Sequence, residues 1–117
     1  MQFKSERLEF ELANASHAKD LLPLWSNYEV TKYTMVKNIT CIDDCVARIE
    51  RQKGWGESAI GPYIIKENCQ IIGYCGGRKN NKGEAEIFYH IDNKKWGYGL
   101  GTEIAKTLIT IAFHDKS

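Results

Sequence analysis

The sequence predicts an α/β layer fold with the element order β-α-α-β-β-β-α. Three observations lead to this prediction. A short alternating segment is followed by two segments with apolar residues at helical spacing. Further along, alternating segments indicate an antiparallel hairpin and one more strand. A glycine-rich loop at residues 96–102 then separates the last strand from a final helix, at the kind of strand end where open α/β sheets bind ligands.

The first strand and the first helix follow from periodicity and capping. Residues 7–12 alternate between polar and apolar side chains and indicate a strand. Asn14 is a suitable N-cap for a helix over residues 15–26. Pro23 lies inside this helix and is expected to kink or shorten it.

A second helix is expected before residue 54. Thr40 and Asp43 resemble a capping box at its start, and Gly54 is a suitable residue to end it.

The middle of the chain changes to strand patterns. Residues 62–66 and 70–78 indicate an antiparallel pair with its turn at 67–68. A polar turn at 79–83 leads into a strand over residues 84–91.

A final helix is expected over about residues 102–114. Its polar and apolar side chains separate onto two sides, as in a helix that covers a core. The apolar side consists of Ile104, Ala105, Leu108, Ile111 and Ala112.

Composition restricts the function classes. The chain has 117 residues, 43% of them hydrophobic, and 16 basic against 15 acidic side chains, which predicts a single domain over residues 1–117. The net charge of +1 provides no bulk attraction to nucleic acid or to an acidic membrane. No apolar run approaches a membrane span, and no signal-peptide pattern is seen at the start, so a soluble cytoplasmic protein is expected.

The cysteines and histidines show no metal-binding pattern. None of the four cysteines forms a C-x-x-C pair, and the three histidines are scattered along the chain. We therefore expect no metal and no disulfide framework, with the cysteines as small reduced residues in or near the core. These residues are Cys41, Cys45, Cys69, Cys75, His17, His90 and His114.

The glycine loop is the main candidate for a binding site. Gly97, Gly99 and Gly101 alternate in the sequence WGYGLGT, and glycines before a helix allow backbone N–H groups to approach an anion. An ordinary glycine-rich turn is the alternative. The Rossmann spacing fails because Thr102 or Ile104 stands where a third glycine is required, and the lysine of a Walker loop is absent. The loop therefore suits a phosphate-bearing ligand without matching these nucleotide signatures.

Three ordered segments resemble a known family. They read IIGYCGG at 71–77, EAEIFY at 84–89 and WGYGLGTEIA at 96–105. Together they resemble the GNAT superfamily of acetyl-CoA-dependent N-acyltransferases, and within it the branch of ribosomal-protein N-terminal alanine acetyltransferases. The superfamily's coenzyme loop reads Q/R-x-x-G-x-G/A, with Trp96 here in its first position, a substitution common in this branch. The resemblance implies a GNAT-like mixed, mostly antiparallel sheet flanked by helices.

The resemblance also implies how acetyl-CoA would bind. Backbone N–H groups of the loop would hold the pyrophosphate, the pantetheine arm would pair with the last strand, and an N–H near Ile91 would polarise the thioester carbonyl. Lys94 and Lys95 either approach the phosphates or form a solvated turn. The coenzyme-binding residues implied are Tyr89, His90, Ile91, Trp96, Gly97, Tyr98, Gly99, Gly101 and Thr102.

The implied chemistry needs a base, because an alkyl ammonium must lose a proton before it attacks the thioester. Glu86 stands at the glutamate of the family's EIGY segment and is the first candidate, and His90 on the same strand face is the second. Phe88 replaces the glycine of that segment, which predicts a narrower pocket beside the strand.

The family continues beyond the final helix with a further strand, an N-x-x-S segment and another helix, so the chain is expected to be an incomplete GNAT-like domain that lacks the C-terminal third. On this expectation the apolar side of the final helix, with Leu108, Ile111 and Ala112, would face water and favour a homodimer or larger assembly.

Three functions stay open from the sequence. The first is an N-acetyltransferase acting on a protein N-terminus or a small-molecule amine. The second is a catalytically inactive module that binds coenzyme A or only self-associates, and the third is a phosphate-binding α/β module. The acceptor is expected near residues 28–38 and 54–57.

Overall fold

The computed structural model describes residues 2–32, 34, 36 and 39–114. Its strands are β1 Gln2–Lys4, β2 Glu9–Leu12, β3 Ala59–Glu67, β4 Gln70–Lys79 and β5 Ala85–Ile91. Its α-helices are α1 Ala18–Trp25, α2 Tyr28–Thr31, α3 Ile42–Lys53 and α4 Leu100–His114. Short 3-10 turns cover Ala15–His17, Gly56–Ser58 and Asn93–Lys95.

The strands form one sheet in the order β1-β2-β3-β4-β5. Each neighbouring pair is antiparallel, so the described part of the sheet has no parallel pair. The predicted α/β fold class is confirmed, with β1 and the one-turn helix α2 as additional elements. At one edge lies β5, whose outer side has no strand partner among the described residues.

The central hairpin turns one residue later than predicted. Glu67 and Gln70 are opposite each other in the β3–β4 register, which leaves Asn68 and Cys69 as the two turn residues. Both have positive φ, 51° and 67°, as a two-residue hairpin turn that matches the twist of the strands requires.

Helices cover both faces of the sheet. On one face α4 packs against strand side chains in a core that includes Phe10, Ile65 and Ile91. On the other face α1 and α3 bury a second core around Tyr74 and Trp25. The β5 strand lies between these two layers, with alternate side chains directed to opposite faces.

The prediction that the apolar side of the last helix faces water is wrong. Leu108 is 0% and Ala112 1% exposed, and Ile111 packs against the same core. These side chains cover the sheet, and the exposed apolar residues of α4 are Ile109 and Phe113. The apolar side of α4 is therefore no reason to expect self-association, and the oligomeric state stays a prediction.

The helix caps agree with the sequence in one case and differ in another. Asn14 caps the Ala15–His17 turn that leads into α1, and its Oδ1 accepts from the Ser16 N–H. The capping box predicted at Thr40 and Asp43 is wrong. The backbone N–H and the hydroxyl of Thr40 both donate to Asp44 Oδ2, at 2.9 and 3.2 Å, because Cys41 is the N-cap of α3.

The ends of α1 and α3 lie close to Pro23 and at Gly54, respectively. Helix α1 contains Pro23 and continues two residues further, to Trp25. It is followed within three residues by α2. Gly54 ends α3 as predicted.

Candidate functional site

The glycine loop leads from β5 into α4 and has a backbone that other residues adopt with difficulty. Gly97 and Gly99 have φ of +88° and +79°, in the left-handed region that side chains disfavour. Gly101 lies inside the first turn of α4, and a β-carbon there would stand 2.6 Å from the Tyr89 hydroxyl. The glycines therefore allow both the turn of the loop and its close approach to β5.

A run of unpaired amides follows from this backbone. None of the N–H groups of residues 97–102 donates a hydrogen bond within the described part of the chain. The first helical bond of α4 is from the Glu103 N–H to the Gly99 carbonyl, at 3.2 Å. Successive free amides at the start of a long helix bind anions, because each supplies a donor and the helix dipole adds partial positive charge.

Side chains from distant segments hold the loop in place. Arg7 donates from Nε to Glu103 Oε1 and from Nη1 to the Tyr98 carbonyl, both at 2.7 Å. Burial raises the pKa of Glu103, but hydrogen bonds from Ser5 and Arg7 outweigh it, so this pKa is lowered overall. The indole of Trp96 donates to the Ile91 carbonyl at 3.1 Å, which ties the loop to the end of β5.

A cavity of about 480 Å³ lies between this loop and β5. Of the coenzyme residues predicted from sequence, all but Tyr98 line it. Tyr98 is 66% exposed and lines a separate depression with Arg7 and Lys94. Lys95 also lines the cavity, and its Nζ is paired with Glu67 Oε1 at 2.8 Å. The cavity is completed by Val30 and Thr34, which the sequence had not indicated individually.

His90 lies at the floor of this cavity and is 5% exposed. The Trp25 Nε1–H donates to His90 Nδ1 at 3.2 Å. An indole N–H can only donate, so Nδ1 is the acceptor and Nε2 carries the proton of the neutral ring. Burial, with a smaller contribution from the positive charge of Arg48, lowers the pKa of His90 to about 4. At neutral pH the ring therefore offers an N–H donor and no free lone pair for a base.

A second cavity of about 570 Å³ adjoins the first one. It lies between α3, Trp55 and β5. The two cavities share Thr34, Tyr89 and His90. The second cavity is further lined by Arg48, Arg51, Gln52, Trp55, Ile87 and Phe88.

The other predicted catalytic residue, Glu86, lies near this second cavity without lining it. It is exposed and stands opposite Arg78 in the β4–β5 register. By the strand period of two, Glu86 shares its sheet face with Phe88 and His90. The Phe88 ring lies 6.0 Å from that of Tyr74 and 5.6 Å from that of His90, so it occupies space that a glycine would leave open.

Comparison with known proteins identifies the family. The model of the acetyltransferase (GNAT) domain matches residues 7–117. The chain belongs to the GNAT family. The predicted resemblance is thereby confirmed at the level of the family.

One GNAT relative in sequence is the uncharacterized N-acetyltransferase p20 of Bacillus licheniformis, which is 31% identical over 114 residues. The match covers 93% of this chain and 64% of p20, so the chain spans just under two thirds of that relative's length.

Solved GNAT structures share the fold. A GNAT-family acetyltransferase from Bacillus anthracis superposes with a TM-score of 0.77 at 17% identity, over 98% of this chain and 68% of that one. RimL, a ribosomal-protein alpha-N-acetyltransferase in complex with coenzyme A, superposes with a TM-score of 0.80 at 18% identity, over 94% of this chain and 66% of RimL.

The described residues contain neither a membrane-spanning helix nor a metal-binding cluster. No helix among them has the length and apolarity to cross a bilayer. No group of three or more His, Cys, Asp or Glu side chains in this part of the GNAT chain is placed to hold a metal ion.

Sequence reasoning missed the long-range partners of the site. Arg7 is 96 positions from Glu103, and Trp25 is 65 positions from His90. No local pattern marks either pair. The single N–H donor of Trp25 was the one sign in the sequence that a polar partner was needed.

Proposed function

We propose that this GNAT-family protein is an acetyl-CoA-dependent N-acetyltransferase that transfers acetyl to a primary amine by direct attack in a ternary complex. The observation that carries the proposal is the junction of two cavities at Thr34, Tyr89 and His90. One cavity is bordered by the unpaired amides of the glycine loop, and the other opens on the opposite side of β5. Two substrates entering from these sides would meet at the junction.

The coenzyme is assigned to the cavity beside the glycine loop. The unpaired amides of residues 97–102 suit the pyrophosphate. The outer side of β5, which has no strand partner among the described residues, offers the backbone groups of Tyr89 and Ile91, with which the pantetheine amides can pair as an added strand would. RimL, which shares the fold, was solved with coenzyme A, and this supports the same use of the loop here.

Acyl transfer needs stabilisation of the negative charge that develops on the thioester oxygen. The Nε2–H of His90 suits this role, because the Trp25 hydrogen bond fixes the tautomer and burial keeps the ring neutral. A backbone N–H near Ile91 is the second donor that the proposal allows. His90 thus becomes a donor in this mechanism, and Glu86 keeps the role of base.

The base must remove a proton from the acceptor ammonium before attack. Glu86 is exposed on the face that carries the second cavity, so a water chain can connect its carboxylate to the amine. The neutral amine then attacks the acetyl carbon, the C–N bond forms, and the C–S bond breaks to release the coenzyme thiolate. The excess proton of the amine leaves by the same route.

Calorimetric titration with acetyl-CoA, followed by a thiol-release assay over a panel of primary amines, tests the proposal. We expect saturable coenzyme binding and amine-dependent release of thiol. Binding without turnover on any amine would instead identify a coenzyme-binding module, and absence of coenzyme binding would remove the glycine loop from the function.

A further inference from the structure

The second cavity carries an unbalanced positive charge. Arg48 and Arg51 both line it, and a separation of three positions places them on the same side of α3. Among the described residues, no carboxylate lies within 4 Å of either guanidinium. Like charges at this spacing repel each other, so an anion in the cavity would relieve an unfavourable arrangement.

Arg48 in particular has no hydrogen-bond or carboxylate partner among the described residues. Its Nε is buried and has no hydrogen-bond partner within the described chain. The guanidinium instead lies over the Trp25 ring, 5.6 Å from its centre. Burial lowers the pKa of Arg48; the interaction with Tyr74 opposes this lowering, and the charge of Arg51 adds to it. A donor in this environment is costly to leave unpaired, whereas a bound carboxylate would supply an acceptor.

The rest of the cavity lining also offers more donors than acceptors. The Oε1 of Gln52 already accepts from the Tyr74 hydroxyl, which leaves the two amide hydrogens of Gln52 for another partner. Trp55 contributes an indole N–H, which can only donate. The Arg78 guanidinium stacks on the Trp55 ring at 5.0 Å, but Arg78 does not line the cavity and stands opposite Glu86 in the β4–β5 register.

We infer that this cavity binds the carboxylate of the acceptor, so that the acetylated substrate is a small molecule with both a primary amine and a carboxylate group. The inference rests on the proposed function, because it takes the second cavity as the acceptor site. The planar guanidinium fork matches the two oxygens of a carboxylate.

The dimensions of the site agree with such a substrate. The cavity volume of about 570 Å³ is in the range of small-molecule sites. Arg48 and Arg51 line the cavity together with Tyr89 and His90, where the acyl group is placed by the proposed function. A substrate whose carboxylate binds the arginines can therefore present its amine to the thioester from within the same cavity. Trp55 and Phe88 provide apolar surface for the part between the two groups.

The test compares 4-(aminomethyl)benzoate with its carboxamide, a pair that differs in the carboxylate but keeps the amine far from it. Binding of each is measured by titration in the presence of coenzyme A, and turnover with acetyl-CoA is measured in parallel. We expect at least tenfold tighter binding of the carboxylate. In Arg51→Gln we expect this preference to fall at least fivefold, with binding of the carboxamide unchanged. Lys53→Gln removes the same charge from an exposed position of α3 outside the cavity and should leave the preference unchanged.

Three results would overturn the inference. If the carboxamide bound as tightly as the carboxylate, the cavity would contain no anion site. Equal losses for both ligands in Arg51→Gln would show a structural role for the arginine. Weaker binding of coenzyme A itself in Arg51→Gln would assign the arginine to the coenzyme phosphates.

The binding assay also separates this inference from the proposed function. Selective carboxylate binding without acetyl transfer would support the anion site and contradict the proposed N-acetyltransferase activity. Acetyl transfer to amines without any carboxylate preference would support the proposed N-acetyltransferase activity and contradict the anion site.

Discussion

The two cavities that meet at His90 are built from different chemical groups. The side proposed for the coenzyme is made of backbone, since its main feature is a row of amides between Gly97 and Thr102 that have no acceptor among the described residues. The side proposed for the acceptor is made of side chains, which come from α3, from Trp55 and from β5. The first therefore depends on a few backbone conformations, whereas the second depends on the identity of each lining residue.

This difference has a consequence for substitutions. In the loop, a side chain can change freely unless it forbids a backbone angle or fills the space that a ligand needs. In the acceptor cavity, removal of one charge or donor alters what the cavity recognises while the fold stays the same. Single substitutions can therefore alter each side, and the junction at His90, separately.

The largest effect is expected at the proposed base. Glu86→Gln should lower turnover by roughly 10²-fold or more, because the amide cannot take the proton of the ammonium. The affinity for acetyl-CoA should stay unchanged, since backbone groups hold the coenzyme. Glu50→Gln removes the same charge from an exposed position of α3 and serves as the control in steady-state assays. A wild-type rate in Glu86→Gln would transfer the base role to water or to another group.

The junction should be sensitive to pH through His90. Its folded-state pKa of about 4 lies below the ordinary value of 6.5, so the unfolded chain binds a proton that the folded chain does not. Stability is therefore unaffected above pH 6.5 and decreases as the pH falls from 6.5 towards 4. At about 1.4 kcal/mol per pH unit for one proton, unfolding should become easier by about 2 kcal/mol between pH 6.5 and 5.

The matched variant is His90→Gln, whose side-chain oxygen can still accept from Trp25 but does not titrate. Denaturant unfolding curves at several pH values measure both proteins. In the variant, the free energy of unfolding should no longer change with pH above pH 5. In this range the carboxylates with lowered pKa values, such as Glu103, do not yet contribute to the pH dependence. Equal slopes in the two proteins would show that His90 is not held neutral by the fold.

On the backbone side, Gly99→Val should weaken coenzyme A binding at least ~30-fold, or about 2 kcal/mol. Its φ of +79° disfavours a branched side chain, which would also project towards the phosphate site. Gly83→Val is a close control, because Gly83 has φ of +81° with nothing within 4 Å and lies in the turn before β5. Similar coenzyme affinities in the two variants, measured by calorimetry, would remove the loop from the binding site.

The smallest effect is expected where a side chain supports the backbone. Arg7→Gln breaks the contacts to Glu103 and to the Tyr98 carbonyl, so the loop should lose order. Coenzyme affinity should fall about fivefold, and the free energy of unfolding by about 1 kcal/mol, as for a partly exposed ion pair. Lys4→Gln breaks the looser pair with Glu9 at 3.7 Å and should change neither quantity measurably. Full affinity in Arg7→Gln would mean that the glycines alone define the loop.

Much of the geometry of the proposed coenzyme side could be predicted from the sequence, because its determinants are close together along the chain. The alternating glycines, the preceding strand and the following helix lie within about thirty residues and constrain the backbone directly. The Asn14 cap and the hairpin were accessible for the same reason, although the turn moved by one residue. The predicted capping box is wrong because Cys41 is the N-cap of α3, so that Asp44, and not Asp43, accepts the hydrogen bonds from Thr40.

The sequence by itself determined the α/β fold class, the family and the glycine loop, since these depend on short-range periodicity and backbone preference. The tertiary structure alone decided which side of α4 is covered, that Arg7 supports the loop, and that Arg48 and Arg51 share a cavity with Phe88. It also turned His90 from a candidate base into a buried N–H donor, through a tryptophan 65 positions away. The physical reason is that burial, hydrogen-bond partners and charge environment belong to the space around a side chain, and an antiparallel sheet with helices on both faces assembles that space from residues far apart in the chain.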